Sequence, residues 1–190
     1  MNSLLNYFTN SSAITIFVLL LLSVYFIVTF WIFADRFYLL KQRIQTESSS
    51  LRMLYTGQSK TVSSRSLLFT YLSRVNVPNS AILQAASTDA LRVATKGLTW
   101  LSIIASTSPF IGLFGTVIGI LETFSKLSSQ ASASLNVVAP AISEALVATA
   151  AGICVAIFAY SFHLILKRKA YELSSLLTSQ SEVILSWHKG

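Results

Sequence analysis

Three polar side chains interrupt two apolar stretches of the sequence and are its best candidates for chemistry. Thr116 lies in SPFIGLFGTVIGIL, and Glu144 and Thr149 lie in NVVAPAISEALVATAAGI. A carboxyl group can hold and release a proton, and a hydroxyl group can both donate and accept a hydrogen bond. These residues predict an ion-linked polar site between two apolar segments.

Each of these residues also has a purely structural interpretation. A threonine in a helix usually bonds back to a carbonyl of its own helix, and Glu144 lies close enough to a loop to be wet. Helical periodicity separates Glu144 from Thr149 by about 140°, so the two need not share one narrow surface. His163 is favoured as an interfacial residue rather than a ligand, and Cys154 as a small buried apolar residue.

Composition places the chain among membrane proteins. It is 53% hydrophobic and 11% charged, with a mean hydropathy of +0.64, whereas a soluble domain has about 25% charged residues. Its net charge of +7 comes from basic residues that flank apolar runs, which indicates a lipid bilayer rather than nucleic acid as the partner. Two histidines and one cysteine form no metal-ligand or nucleophile motif, so we expect no enzyme, no metal site and no cofactor.

Three apolar runs are long enough to cross a bilayer. The first, 13–34, has 22 uncharged residues and would form a helix of about 33 Å. No basic residue precedes this run, so we interpret it as an uncleaved span. The second span is predicted at 101–121 and the third at 138–166. The fold class predicted is all-α, a three-span membrane bundle.

The distribution of basic residues predicts the orientation. Nine lysines and arginines lie in 35–100, four lie in 167–190, one (Lys126) lies in 122–137, and none lies in 1–12. Positive charge stays on the cytoplasmic side. We therefore expect 1–12 outside, 35–100 as a cytoplasmic helical loop, 122–137 as a short periplasmic loop, and 167–190 as a cytoplasmic helix.

The segments outside the spans are also predicted to be mainly helical. Asn79 or Ser80 is a candidate N-cap for a helix that has no strong breaker before Gly97 and could continue into the second span. Residues 46–66 are rich in serine and threonine and indicate a turn or mobile loop. The tail has apolar residues at helical spacing, so we expect it to continue the third span as an amphipathic helix.

Small residues mark one face of the second and third spans and predict close helix packing. Pro109 is expected to kink the second span or to leave one carbonyl free, and Pro140 to occupy the first turn of the third. The packing residues are Gly112, Gly115 and Gly119 in the second span, on the same face as Thr116 and Thr123, and Ala141, Ala145, Ala148 and Gly152 in the third.

Two motifs resemble those of the ExbB/TolQ/MotA proton-channel family. SPFIGLFGTVIGI (108–120) resembles the family's APFxGLFGTVWGI, and NVVAPAISEALVATAAGI (136–153) resembles its VAPGIAEALxATAxGL. The dense match covers about a third of the chain, and elsewhere only the layout agrees. The sequence departs from the family pattern at Ile118, Ala141 and Ser143, which are mild changes, and at Glu122, an added acid.

The resemblance implies a function. Members of this family form a pentamer around a dimer of a single-span ExbD- or TolR-type protein, which supplies a membrane aspartate. Protons pass this aspartate and energise work through a TonB- or TolA-type third component. By motif position the proton pathway would include Thr116, Thr149 and Glu144. The glycines would let five copies pack closely. The implied location is the inner membrane of a Gram-negative bacterium.

Two questions remain open at the level of sequence. The three-span layout favours the ExbB-like or TolQ-like branch over the longer MotA-type chains, with a slight preference for ExbB-like. A non-conducting membrane scaffold, which assembles partners through its small-residue helix faces, is the alternative function. The two functions differ in whether the hydroxyl groups of Thr116 and Thr149 are needed.

Overall fold

The computed structural model describes residues 13–57, 63–73, 79–128 and 135–189. Five helices occur in these ranges: α1 (Ala13–Tyr55), α2 (Phe69–Leu72), α3 (Ser80–Ala94), α4 (Leu98–Ser128) and α5 (Leu135–Lys189). Three of them, α1, α4 and α5, are long and apolar enough to cross a membrane. Over the described ranges this confirms the all-α prediction with three long apolar helices. The predicted outer N-terminus, 1–12, lies outside the described residues.

The chain divides into two compact units, each of which draws on all three long helices. The first unit comprises Met1–Trp31 and Trp100–Phe162, and the second comprises Ile32–Thr99 and His163–Gly190. The boundaries fall inside the long helices. The first unit therefore contains most of the predicted spans, and the second contains the segments predicted to be cytoplasmic.

The core of the first unit lies where α1, α4 and α5 meet. Its buried members are Val18, Leu22, Ile104, Ala148, Val155 and Ala159. A cluster of four phenylalanines adjoins them, in which Phe26 meets Phe158 edge-on at 5.7 Å between ring centres, and Phe30 meets Phe162 at 5.1 Å. Such edge-to-face pairs are favourable because the positive edge of one ring meets the negative face of the other.

The second unit is held together by leucines and by a buried carboxylate. Leu40, Leu68 and Leu173 are fully buried. Glu47 is also fully buried, and its carboxylate accepts hydrogen bonds from the Ser66 hydroxyl (2.7 Å), the Leu67 amide (2.7 Å) and the Gln180 side chain (3.0 Å). These bonds tie the segment at 66–67 to both α1 and α5.

The serine-rich prediction for 46–66 is wrong over its first part, because α1 continues to Tyr55. Glu47 and Ser50 are buried by packing, and Ser50 accepts a hydrogen bond from the Ser63 amide at 3.3 Å. These tertiary contacts outweigh the weak helix propensity of serine and threonine. Residues 58–62 of the predicted loop lie outside the described residues.

The helix predicted to start near residue 79 is confirmed, and its predicted continuation into the second span is wrong. The Asn79 side chain accepts a hydrogen bond from the Ala81 amide at 3.2 Å and so caps α3. The helix ends at Ala94, and α4 begins only at Leu98, because Gly97 adopts a φ of +98°. That left-handed conformation cannot continue an α-helix and suits glycine.

Two further predictions concern helix ends. The amphipathic tail is confirmed, since α5 runs without a break to Lys189 and buries Leu173, Leu177 and Ile184. Pro140 does not occupy the first turn as predicted. Because α5 already begins at Leu135, Pro140 lies in the second turn, where it is exposed.

Candidate functional site: a hydroxyl pair between α4 and α5

The glycine face of α4 brings its backbone against the backbone of α5. A β-carbon added to Gly112 would lie 2.6 Å from the Ala148 carbonyl oxygen and 3.0 Å from the Thr149 Cα atom. A β-carbon added to Gly152 would lie 2.5 Å from the Ser108 carbonyl oxygen. No real β-carbon tolerates such distances, so both positions need glycine for the two helices to approach this closely.

The next two glycines of α4 also contact α1. A β-carbon on Gly115 would lie 2.9 Å from Val18 Cγ1 and 3.2 Å from Ala148 Cβ. One on Gly119 would lie 3.3 Å from Ala145 Cβ and 3.5 Å from the Thr15 hydroxyl oxygen. These close contacts lie within the chain. The close packing of five copies that the resemblance implies stays a prediction.

This close approach brings Thr116 and Thr149 together. Their hydroxyl oxygens are 2.5 Å apart, across the interface of two helices. The Thr116 hydroxyl also lies 2.9 Å from the Ala145 carbonyl oxygen and 3.3 Å from the Gly112 carbonyl oxygen. Only one hydrogen is available on each hydroxyl, so the pair shares two hydrogens among several acceptors.

The geometry fixes two arrangements of the hydrogens. When Thr116 donates to the Ala145 or the Gly112 carbonyl, Thr149 must donate to Thr116, because a carbonyl can only accept. When Thr116 instead donates to Thr149, the hydrogen of Thr149 is released to another acceptor. Thr116 is buried, at 8% exposure, whereas Thr149 is half-buried. Thr149 is therefore the more exposed residue of the pair.

The remaining predicted site residues lie near this pair in sequence but differ in burial. Ala145 and Ala148 are buried in the α4–α5 interface, and Ala141 is half-buried. Glu144 and Glu122 are both half-buried. Glu144 directly precedes Ala145, whose carbonyl is within hydrogen-bonding distance of Thr116.

Pro109 lies inside α4 without ending the helix. Proline has no N–H, so the Ala105 carbonyl lacks the helical donor that any other residue at position 109 would supply. The sequence predicts a kink or a free carbonyl at this position. Ser108 beside it is fully buried and donates to the Ile104 carbonyl at 2.6 Å.

Three buried hydroxyl residues were not predicted from the sequence. Ser108, Thr15 and Thr29 are all at most 3% exposed in the first unit. Thr15 and Thr29 follow the same helical face of α1 as Val18 and Leu22, at intervals of three, four and seven residues. That periodicity was the available signal, but an apolar run does not reveal which of its faces is buried in protein. For the same reason the prediction that Cys154 is buried is wrong, since this residue is exposed.

Comparison with known proteins identifies the family of the chain. The model of the MotA/TolQ/ExbB proton channel family matches residues 66–179, which is more than half of the chain and includes the whole of the α4–α5 contact. The chain belongs to this family. It is accordingly a multi-pass membrane protein of a proton-channel family.

Individual relatives extend the similarity. The chain is 41% identical over 185 residues to a Helicobacter pylori (strain J99) biopolymer transport protein named ExbB-like 1, which covers 97% of this chain and 98% of the relative. It is 39% identical over 94 residues to the biopolymer transport protein ExbB of Xanthomonas campestris pv. campestris (strain B100), covering 48% and 37%. It is 55% identical over 58 residues to the Tol-Pal system protein TolQ of Haemophilus influenzae, covering 30% and 25%.

Proposed function

We propose that this chain is the proton-conducting motor subunit of an inner-membrane complex. It would assemble as a homopentamer around a dimer of a single-span ExbD- or TolR-type partner that supplies a membrane aspartate. The observation that carries the proposal is the hydrogen bond between the Thr116 and Thr149 hydroxyl groups. Membership of the proton-channel family supports it.

The hydroxyl pair suits a proton route in a low-dielectric environment. The half-buried Thr149 hydroxyl can exchange a hydrogen bond with the partner's carboxyl group, while Thr116 holds Thr149 in position from the buried side. Glu144 would contribute a second titratable group to the route. Within a span such a carboxyl group is costly unless it faces protein or water, so it fits a pathway better than a lipid face.

The energised process is the finer part of the proposal. We assign the chain to the ExbB-like branch, in which the third component is of the TonB type and the work is uptake across the outer membrane. The full-length similarity to an ExbB-like relative supports this branch over the TolQ-like one, whose third component is of the TolA type. We further propose that residues 1–12 are periplasmic and that the second unit is cytoplasmic, because basic residues are concentrated there.

The experiment is purification of the tagged chain from its native membranes in mild detergent, followed by mass spectrometry of the intact complex. We expect five copies of the chain together with two copies of a single-span protein whose span contains an aspartate. When reconstituted, this complex should admit protons under an imposed membrane potential. A chain that purifies without such a partner in several mild detergents, and conducts no protons, would instead be a scaffold.

A further inference from the structure

Thr29 is a buried hydroxyl that the hydroxyl pair does not use. Its side chain is fully buried in the first unit, and its Oγ1 atom has no hydrogen-bond partner among the residues that the structure describes. A hydroxyl in a helix normally bonds to the carbonyl four residues before it. A buried polar atom without a protein partner commonly marks an ordered water or a functional role.

The contacts between α1 and α4 give the level at which Thr29 lies along α4. Thr15 lies beside Gly119, and Val18 lies beside Gly115, so the two helices run in opposite directions. Fourteen residues further along α1 from Thr15 is Thr29, and fourteen residues back along α4 from Gly119 is Ala105. Eleven residues separate Val18 from Thr29, and eleven residues back along α4 from Gly115 is Ile104. Thr29 therefore lies at the level of residues 104–105 of α4.

At this level α4 has an unusual feature in its backbone. The Ala105 carbonyl is the one that Pro109 deprives of its helical N–H donor. The register thus places a hydroxyl without a protein partner and a carbonyl without its helical donor at the same height in the bundle. Neither observation depends on the other, since one concerns α1 and the other concerns α4.

Alanines lie at this level of α4 and in the adjoining core. Ala105 packs against the apolar core of the first unit, and the fully buried Ala159 of α5 belongs to that core together with Ile104. Alanine side chains fill little space. A buried water needs roughly one probe sphere of volume and two to four polar partners. The Thr29 hydroxyl and the Ala105 carbonyl supply two of them.

We propose that a water molecule bridges Thr29 and Ala105 inside the first unit, and that it extends the proton route from the Thr116–Thr149 pair towards the start of α4. The second half of this statement rests on the proposed function. Ser108, whose buried hydroxyl donates to the Ile104 carbonyl, lies between the water and the hydroxyl pair along α4. Pro109 would then serve to free a carbonyl for the water.

Two variants each remove one partner of the water. Thr29→Val replaces the hydroxyl by a methyl group of equal size, and Pro109→Ala supplies an N–H that bonds to the Ala105 carbonyl. For each we expect a fall in proton flux of about tenfold in the reconstituted complex, equivalent to roughly 1.4 kcal/mol. Thr29→Ser should retain the flux, and all three variants should assemble as the parent does.

A double variant tests whether one molecule joins the two groups. If the same water bonds to both, Thr29→Val combined with Pro109→Ala should lose no more flux than either change alone. Losses that multiply would overturn the bridge. Thr107→Val is the matched control on α4, because the Thr107 hydroxyl donates to the Ile103 carbonyl of its own helix at 2.8 Å.

Direct observation of the water separates this proposal from the proposed function. A cryo-EM map of the complex in lipid nanodiscs should contain a water peak within hydrogen-bonding distance of both Thr29 Oγ1 and the Ala105 oxygen, and the peak should vanish in Thr29→Val. A map without a water between Thr29 and Ala105, together with full proton flux in Thr29→Val, would overturn the proposal. Full flux in Thr149→Val would overturn the proton route instead, while the map would still decide whether the water is bound.

Discussion

Gly152 packs directly on the backbone of Gly112, since a β-carbon at position 152 would lie only 3.1 Å from the Gly112 Cα atom. This contact sets the distance between α4 and α5, and thereby the distance between the hydroxyl groups of Thr116 and Thr149. The glycines and the two threonines of this chain are thus parts of one arrangement.

The first prediction concerns the glycines. Gly152→Ala should separate α4 from α5, because the added methyl group would meet backbone atoms of α4. Backbone atoms cannot move aside as the end of a flexible side chain can. We expect a loss of about 1–3 kcal/mol in the free energy of unfolding and a large loss of proton flux. Thermal unfolding and flux in the reconstituted complex measure the two effects.

A series of glycine variants supplies the control. Gly119→Ala should be much milder than Gly152→Ala, because its methyl group would meet Ala145 Cβ at 3.3 Å and the Thr15 hydroxyl at 3.5 Å rather than backbone at 2.5 Å. Gly115→Ala, which would meet the Val18 side chain at 2.9 Å, should fall between them. Equal effects in all three variants would contradict the backbone contact as their cause.

The second prediction concerns the hydroxyl pair. Thr149→Val and Thr116→Val keep the size of the side chain and should leave the assembly intact, while each lowers proton flux by about tenfold or more. Thr149→Ser and Thr116→Ser should retain most of the flux, because the hydroxyl is preserved. Flux and native mass spectrometry on the same preparations test this. Valine variants that are assembled and fully active would contradict the proton route and favour the alternative function of a non-conducting scaffold.

The third prediction concerns the buried carboxylate of the second unit. In Glu47→Gln, an amide NH₂ replaces one acceptor oxygen, so it must face one of the three donors that now bond to Glu47. We expect a loss of about 1–3 kcal/mol in the free energy of unfolding. The control is Glu182→Gln, which makes the same change at an exposed position of α5. Similar melting temperatures for the two variants would show that the Glu47 bonds contribute little.

The fourth prediction concerns His163, which was expected to be interfacial. Its Nδ1 atom lies 3.1 Å from the Leu98 carbonyl oxygen, and because a carbonyl only accepts, Nδ1 must bear the proton. His163→Asn can place its amide N–H at the same point and should retain stability. His163→Ala should lose about 1 kcal/mol in the free energy of unfolding. Thermal melts that rank the two variants in the opposite order would refute this tautomer.

The sequence predicted the elements whose signals are local. Long apolar runs determine the three spanning helices, since nothing but a helix satisfies the backbone of so long an apolar segment. Predictions from the sequence were wrong where tertiary packing determines the secondary structure. Helix α1 continues through the serines near 47–50 because Glu47 is bonded across the second unit, and that information lies at Gln180, more than a hundred residues away.

The candidate site also combines residues that local sequence patterns reveal with residues that only tertiary packing reveals. Thr116 and Thr149 were found through two motifs that resemble a family. Spacing within each helix could not show that the two hydroxyl groups meet, because that depends on the rotation of α4 against α5. Thr29 and Ser108 escaped notice because their importance comes from burial. An isolated threonine or serine in an apolar run carries no mark of the face it occupies.

Because Thr116 and Thr149 are joined by a hydrogen bond, each proton relayed through the pair changes the direction of that bond. Each hydroxyl has one hydrogen, so a proton that enters at one oxygen and leaves at the other reverses the direction of the bond between them. The reversed pair cannot pass a second proton the same way until both hydroxyls rotate back. Transport through such a pair would consist of two alternating steps, a transfer and a reset, and the slower step would determine the rate of proton transport.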